Sequence, residues 1–211
     1  MFYFIVAAVM SIVIHEVSHG WVAYRCGDTT AKEAHRLTLN PLRHVDPFGT
    51  VILPLMLSAA HLPPFGWAKP VPVTISRLRN PRRQSLYVGL AGPGVNIVLA
   101  ALALVVCHFS TFHAYGAVYP ANPFIAKLSV AFGVTNVTLA AFNLLPFPPL
   151  DGSALVERLL PDRALPGYYR IRQAMLPIVF LLIIVDSFTL NLLGHLLSYL
   201  QDWWFSLLNA W

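Results

Sequence analysis

The 211-residue chain is 57% hydrophobic and 11% charged, with a mean hydropathy of +0.64. An ordinary soluble domain carries roughly 25% charged residues, so this chain could not cover its own surface with polar groups. That excludes a soluble globule and a disordered chain, and leaves an integral membrane protein built as one unit. The net charge of +5 falls in clusters with no interleaved aromatic stripe, so it reports membrane topology and not nucleic-acid binding.

In chain order, the first apolar stretch covers about 2–24 and is interrupted only by Ser11 and by His15-Glu16-Val17-Ser18-His19. It lacks a basic n-region and a small-residue cleavage site, so it reads as a span and not as a leader. From about 38 to 73 the chain alternates proline, glycine and β-favouring residues. Within it, Phe48 to Leu62 is too short to span comfortably and contains Pro54. Arg25, Lys32, Arg36 and Arg43 precede this stretch, and Lys69, Arg77, Arg79, Arg82 and Arg83 follow it. A crossing would leave one basic cluster outside, so the segment is predicted to be re-entrant, with a short β-hairpin dipping into the cytoplasmic leaflet. Backbone of that kind at membrane depth requires a polar cavity beside it.

A second span is predicted over about 86–109, opening with Gly89-Leu90-Ala91-Gly92-Pro93-Gly94-Val95-Asn96. Its small residues allow close approach to the first span, with Asn96 either joining helices or meeting substrate. A third covers about 124–145 and stops at Pro146; a fourth covers about 175–197, with Pro177 in its first turn. The tail from Ser198 to Trp211, rich in Tyr199, Trp203, Trp204, Phe205 and Trp211, is predicted to be an interfacial helix at the outer face. The expected fold is therefore an all-α polytopic membrane protein, one domain over 1–211, with about four spans and an external N-terminus. Cys26 and Cys107 have no CxxC spacing and fall near opposite faces, too far apart to pair.

The chemistry concentrates in His15-Glu16-x-x-His19. On a helix, residues four apart share a face, so both imidazoles can converge on one zinc ion while Glu16 serves as general base. Each ionisable group inside a span costs about 2.5–3.5 kcal/mol on insertion scales, which argues against three of them being retained for packing. A catalytic zinc wants a third protein ligand. Asp151 is one candidate, on an extended segment forced by Pro148-Pro149; read alone, it fits better as an N-cap for Ser153 to Leu160. Asp46 and Asp186 compete with it. His35, His44, His108 and His113 lack partner spacing and read as surface or interfacial residues, while Ser18 and Thr138 fit packing.

Three motifs together, His15-Glu16-x-x-His19, Gly92-Pro93-x-x-Asn96 and the stretch from Asn143 to Leu150-Asp151-Gly152, make the chain resemble the site-2 protease family of intramembrane zinc metalloproteases. The resemblance is nearest to short bacterial and archaeal members without PDZ or CBS domains. It implies that His15, His19 and Asp151 bind one zinc ion and that Glu16 is the catalytic base. It also implies that Asn143 hydrogen-bonds the substrate or the developing oxyanion, and that the re-entrant segment pairs with an unwound substrate strand. The expected partners are transmembrane protein substrates and the lipid bilayer, with the site towards the cytoplasmic leaflet of a cell membrane. Two other readings compete: a catalytically silent scaffold that binds transmembrane helices, and a metal-ion transporter. Glu16 argues against the first, since a scaffold needs no base. The scarcity of polar groups in the outer halves of the spans argues against the second.

Overall fold

The computed structural model describes residues 1–59, 68–114 and 117–209. Helix α1, Phe2–Arg25, is 24 residues long and extends about 36 Å, enough to cross the hydrocarbon. It ends at Arg25, and Gly27 just beyond the cap has a φ of +111°, which suits a residue without a Cβ. The turn leads into α2, Thr30–Glu33.

The segment expected to hold a β-hairpin is helical where it is described. A 3-10 turn, Pro41–Arg43, is followed by a π-helical turn, Pro47–Ile52, and by α3, Leu53–Ala59. The cause is local. The Asp46 carboxylate accepts from the backbone N–H groups of Phe48 and Gly49, and Pro47 occupies the first helical position, so a capped helix begins there. Over the described residues this apolar piece, Pro47–Ala59, is shorter than a span. Residues 60–67, over which the hairpin would turn, lie outside the described residues. Residues 68–74 run without helical structure, and among the described residues they join no ladder.

Helix α4, Pro81–Phe109, starts five residues before the expected second span because Asn80 caps it and Pro81 opens it. A short antiparallel ladder follows between β1, Thr111–Ala114, and β2, Ala117–Pro120. The same Asn-Pro device starts α5, Pro123–Asn143, where Asn122 accepts from the N–H groups of Phe124 and Ile125. α6, Ser153–Leu159, is short.

The expected fourth span is divided. Helix α7, Leu165–Phe188, ends before Asn191, which adopts a left-handed φ of +48°. Asp186 accepts from the N–H groups of Leu192 and Leu193 and so caps α8, Leu192–Asn209. Pro177 lies midway along α7, not in its first turn, and the axes on either side of it differ by 63°. By length and apolarity, α1, α4 and α5 are spans, and the bent α7 makes a fourth if it is counted as one. The C-terminal aromatic residues divide as well. Tyr199 and Trp203 are exposed, but Trp204 is 2% exposed, donates to the carbonyl of Ala100 and packs on Ala103. α8 therefore lies along the bundle, with Gln201 bonded to Thr138 and Trp204 seated over Gly133.

The packed core of α1, α4 and α5 holds small apolar residues such as Ala7, Ala100 and Ala131 together with polar side chains, while large apolar residues lie outside. Ser11, Asn96 and Asn136 are wholly buried, while Phe4, Ile97, Val98, Leu102 and Val105 are exposed. That inversion is the pattern of helices solvated by lipid, where polar side chains join helices and small residues let them approach.

Candidate metal centre

His15 and His19, one turn apart on α1, turn towards the bundle interior, 6% and 9% exposed. Their Nε2 atoms are 3.1 Å apart. Asp151 arrives from the loop after α5, its Oδ2 lying 3.0 Å from His15 Nε2 and 3.3 Å from His19 Nε2. That loop is not the extended segment expected from its prolines. It closes on itself through Leu150 N–H to Phe147 O and Gly152 N–H to Asn143 O, which holds Asp151 beneath α4. Asp151 does not cap α6; Gly152 occupies that position. The competing acids are engaged elsewhere, Asp46 and Asp186 as the caps described above. His44 differs from the surface residue expected: it is 2% exposed, with Nε2 donating to the carbonyl of Thr38. His35 is exposed.

The hydrogen bonds behind the two imidazoles settle what faces the centre. The carbonyl of Val88 can only accept, so His19 carries a proton on Nδ1, at 2.6 Å, and in the neutral ring presents a lone pair on Nε2. His15 Nδ1 lies 2.5 Å from Asn96 Oδ1, again an acceptor. In the neutral rings two lone pairs thus meet a carboxylate oxygen, and Asp151 Oδ2 is buried without a hydrogen-bond donor among the described residues. Three acceptors in mutual contact repel unless a proton or a metal cation joins them. Their separations of 3.0–3.3 Å are close to the roughly 3.3 Å edge of a tetrahedron whose bonds to zinc are about 2.0 Å. Room for an ion comes from Gly92, where a Cβ would collide with both imidazole rings. His15, His19 and Asp151 could therefore hold a divalent metal, and soft-to-borderline nitrogen donors with one carboxylate suit zinc.

Glu16 lines the same cavity of about 990 Å³, with Oε2 accepting from the Val71 N–H at 2.9 Å. Asn143 also lines it, its side-chain amide donating to the carbonyl of Leu139. The cavity continues past Glu157 and Arg172, which pair at 3.2 Å, to Leu193 and Leu197 of α8. Sequence reasoning missed the Val88 carbonyl, the Asn136 partner of Asn96, and Val71. The first and last act through the backbone and leave no residue-type signal.

Against known proteins, the profile described as "Peptidase family M50" matches residues 3–121 and 111–185. The chain is 41% identical over 162 residues to YwhC of Bacillus subtilis, covering 75% of this chain and 69% of that protein. It is 33% identical over 154 residues to Rip2 of Mycolicibacterium smegmatis, covering 72% and 56%; both relatives are named "Putative zinc metalloprotease". It is 25% identical over 154 residues to the "Zinc metalloprotease MJ0392" of Methanocaldococcus jannaschii, covering 73% of this chain and 33% of that protein. No solved structure matches the chain. A profile match over most of the length, together with a 41% identical relative, shows that this chain belongs to peptidase family M50, the site-2 protease family of metalloproteases.

Proposed function

We propose that the chain is a zinc-dependent intramembrane endopeptidase that hydrolyses peptide bonds within transmembrane segments. The observation that carries this reading is the meeting of the ligand atoms of His15, His19 and Asp151 within the apolar bundle, with Glu16 on the same cavity wall. A zinc ion bound there supplies Lewis acidity, lowering the pKa of water and polarising a carbonyl. Glu16 takes a proton from the attacking water and returns it to the departing amine. Asn143 offers its amide to the substrate carbonyl once it leaves Leu139. A substrate helix has its carbonyls already bonded, so it must unwind first, and residues 68–74, which run without helical structure and join no ladder among the described residues, would receive it by edge pairing. Val71 N–H, now bonded to Glu16, is one of the donors that edge would supply.

Glu16→Gln tests the assignment. With the full chain in detergent or liposomes, cleavage of a single-span substrate falls by at least roughly a hundredfold, within the usual range for loss of a general base. Zinc content stays at one ion per chain. Unchanged cleavage would remove Glu16 from the reaction, and cleavage confined to soluble peptides would remove the intramembrane substrate.

A further inference from the structure

We infer that Asn96 and Asn136 are positioning residues that hold His15 in its Nδ1–H tautomer, so that its Nε2 lone pair is free for the metal. The inference rests on the zinc reading above and concerns how the site is kept competent before an ion arrives. His19 has its tautomer fixed by a backbone carbonyl, as described. His15 has a side-chain amide behind it instead, and an amide can turn over, presenting either an oxygen or an NH2 group.

Asn136 prevents that turn. Its Nδ2 lies 2.8 Å from the carbonyl of Phe132, which can only accept, so the atom there must be the nitrogen. The same nitrogen donates to Ser11 Oγ at 2.8 Å. Asn136 Oδ1 is then the atom that meets Asn96, at 2.6 Å, which makes the Asn96 atom a nitrogen and leaves Asn96 Oδ1 facing His15. A single carbonyl on α5 thus sets, through two amides on two helices, which ring nitrogen of a third helix carries a proton. All three relay side chains, Ser11, Asn96 and Asn136, are 0% exposed, so water is not at hand to replace a lost partner. Turning the Asn96 amide over would set two oxygens against each other at Asn136, and its NH2 would meet His15 as a second donor unless the ring moved its proton to Nε2.

The alternative tautomer is a competitor and not a neutral variant. With the proton on Nε2, His15 would donate directly to Asp151 Oδ2, 3.0 Å away. That hydrogen bond occupies two of the three ligands with one proton. In the metal-free protein it is the arrangement an unrestrained imidazole would adopt, since it satisfies the buried carboxylate. The relay makes it unfavourable and keeps the ligand set open.

The test combines histidine nitrogen NMR on the metal-free full chain with zinc affinity by chelator competition. The spectra are taken at about pH 8, where a free imidazole is neutral. His15 is assigned by the signal lost in His15→Asn. The wild type is expected to show the proton on Nδ1. In Asn96→Leu the signal moves to the Nε2–H pattern and the zinc Kd rises roughly 10–100-fold, the range seen when a partner behind a metal ligand is removed. Asn136→Leu moves both readouts the same way without touching His15, and it serves if Asn96→Leu does not fold. Asn96→Asp keeps an acceptor behind Nδ1 but loses the donor to Asn136, so the Nδ1–H signal alone is expected to stay. If both leucine variants keep the Nδ1–H signal and the wild-type Kd, and merely melt earlier, the two asparagines are interhelical joints and the inference is overturned. A wild type that binds no zinc would overturn the proposed function alone, because the tautomer of the metal-free protein still decides this inference.

Discussion

Two glycines one turn fraction apart on α4 face opposite circumstances. A Cβ on Gly92 would strike both ligand imidazoles, whereas a Cβ on Gly94 would meet nothing within 4 Å. Overpacking of this kind costs about 1–3 kcal/mol when neighbours must shift, and here the neighbours are the ligands themselves. Gly92→Ala is therefore expected to weaken zinc binding roughly ten- to a hundredfold, as about 1.4 kcal/mol corresponds to a factor of ten. Gly94→Ala leaves zinc affinity unchanged and, by helix propensity, raises stability by up to about 1 kcal/mol. Zinc competition and thermal unfolding on the two variants check the pair, and equal behaviour would mean that the cradle is not formed by residue 92. Of the centre, the sequence makes His15, Glu16 and His19 legible, because helical spacing alone puts both imidazoles on one face. Asp151 is far along the chain and shares its local pattern with a helix cap, so it becomes legible through family resemblance. The bond between Asn96 and Asn136 joins residues 40 positions apart on different helices, and no periodicity announces such a pair.

Among the elements, the apolar runs gave the spans but not their ends. The starts of α4 and α5 are set by Asn80-Pro81 and Asn122-Pro123, polar signals outside the hydrophobic window. The break between α7 and α8 comes from Asp186 and Asn191, which hydropathy does not weigh. Another acid does similar work where the chain leaves α1. Asp28 is wholly buried, accepting from the N–H and hydroxyl of Thr30 through Oδ1 and from the Thr74 N–H at 2.6 Å through Oδ2. It thereby ties the α1–α2 turn to the segment that carries Val71 to Glu16. Burial alone would raise its pKa, but these hydrogen bonds and the charge of Arg77 outweigh burial and hold the carboxyl below its usual range. A carboxyl depressed in the folded state contributes stability that is fully present above its unfolded pKa of about 4 and is lost as pH falls through the folded value. Unfolding midpoints are thus expected to decline below about pH 4 by more in the wild type than in Asp28→Asn. Parallel decline of the two proteins would show that Asp28 contributes nothing to the pH dependence.

For the whole molecule, the distribution of charge and the depth of the centre bear on one question, which side of the membrane the site faces. Arg25, Lys32, Arg77, Arg79, Arg82 and Arg163 all gather at the end of the bundle where α1 stops and α4 begins. Arg79 N–H bonds to the Cys26 carbonyl there, and Arg82 pairs with Asp162. Residues 110–123, at the far end, contain no lysine or arginine. By the positive-inside rule we propose that the basic end faces the cytoplasm and the N-terminus the outside. His19 is six residues from Arg25, about 9 Å along the axis, while His15 is about 20 Å from Phe2, so the centre lies in the half of the bundle nearer the basic end. A biotin-acceptor peptide inserted after Arg43 in a bacterial host is expected to be modified by the cytoplasmic ligase, and one inserted after Ala121 to escape it. An insertion after His61 decides the remaining segment, because the re-entrant reading returns it to the cytoplasmic side and predicts modification. Protection at His61 together with modification at Arg43 would make 48–62 a true crossing. The bundle would then hold one more span, and the second basic cluster, from Lys69 onwards, would lie outside, where the positive-inside rule does not put it. The reverse pattern at Arg43 and Ala121 would invert the molecule and carry the metal centre to the outer leaflet.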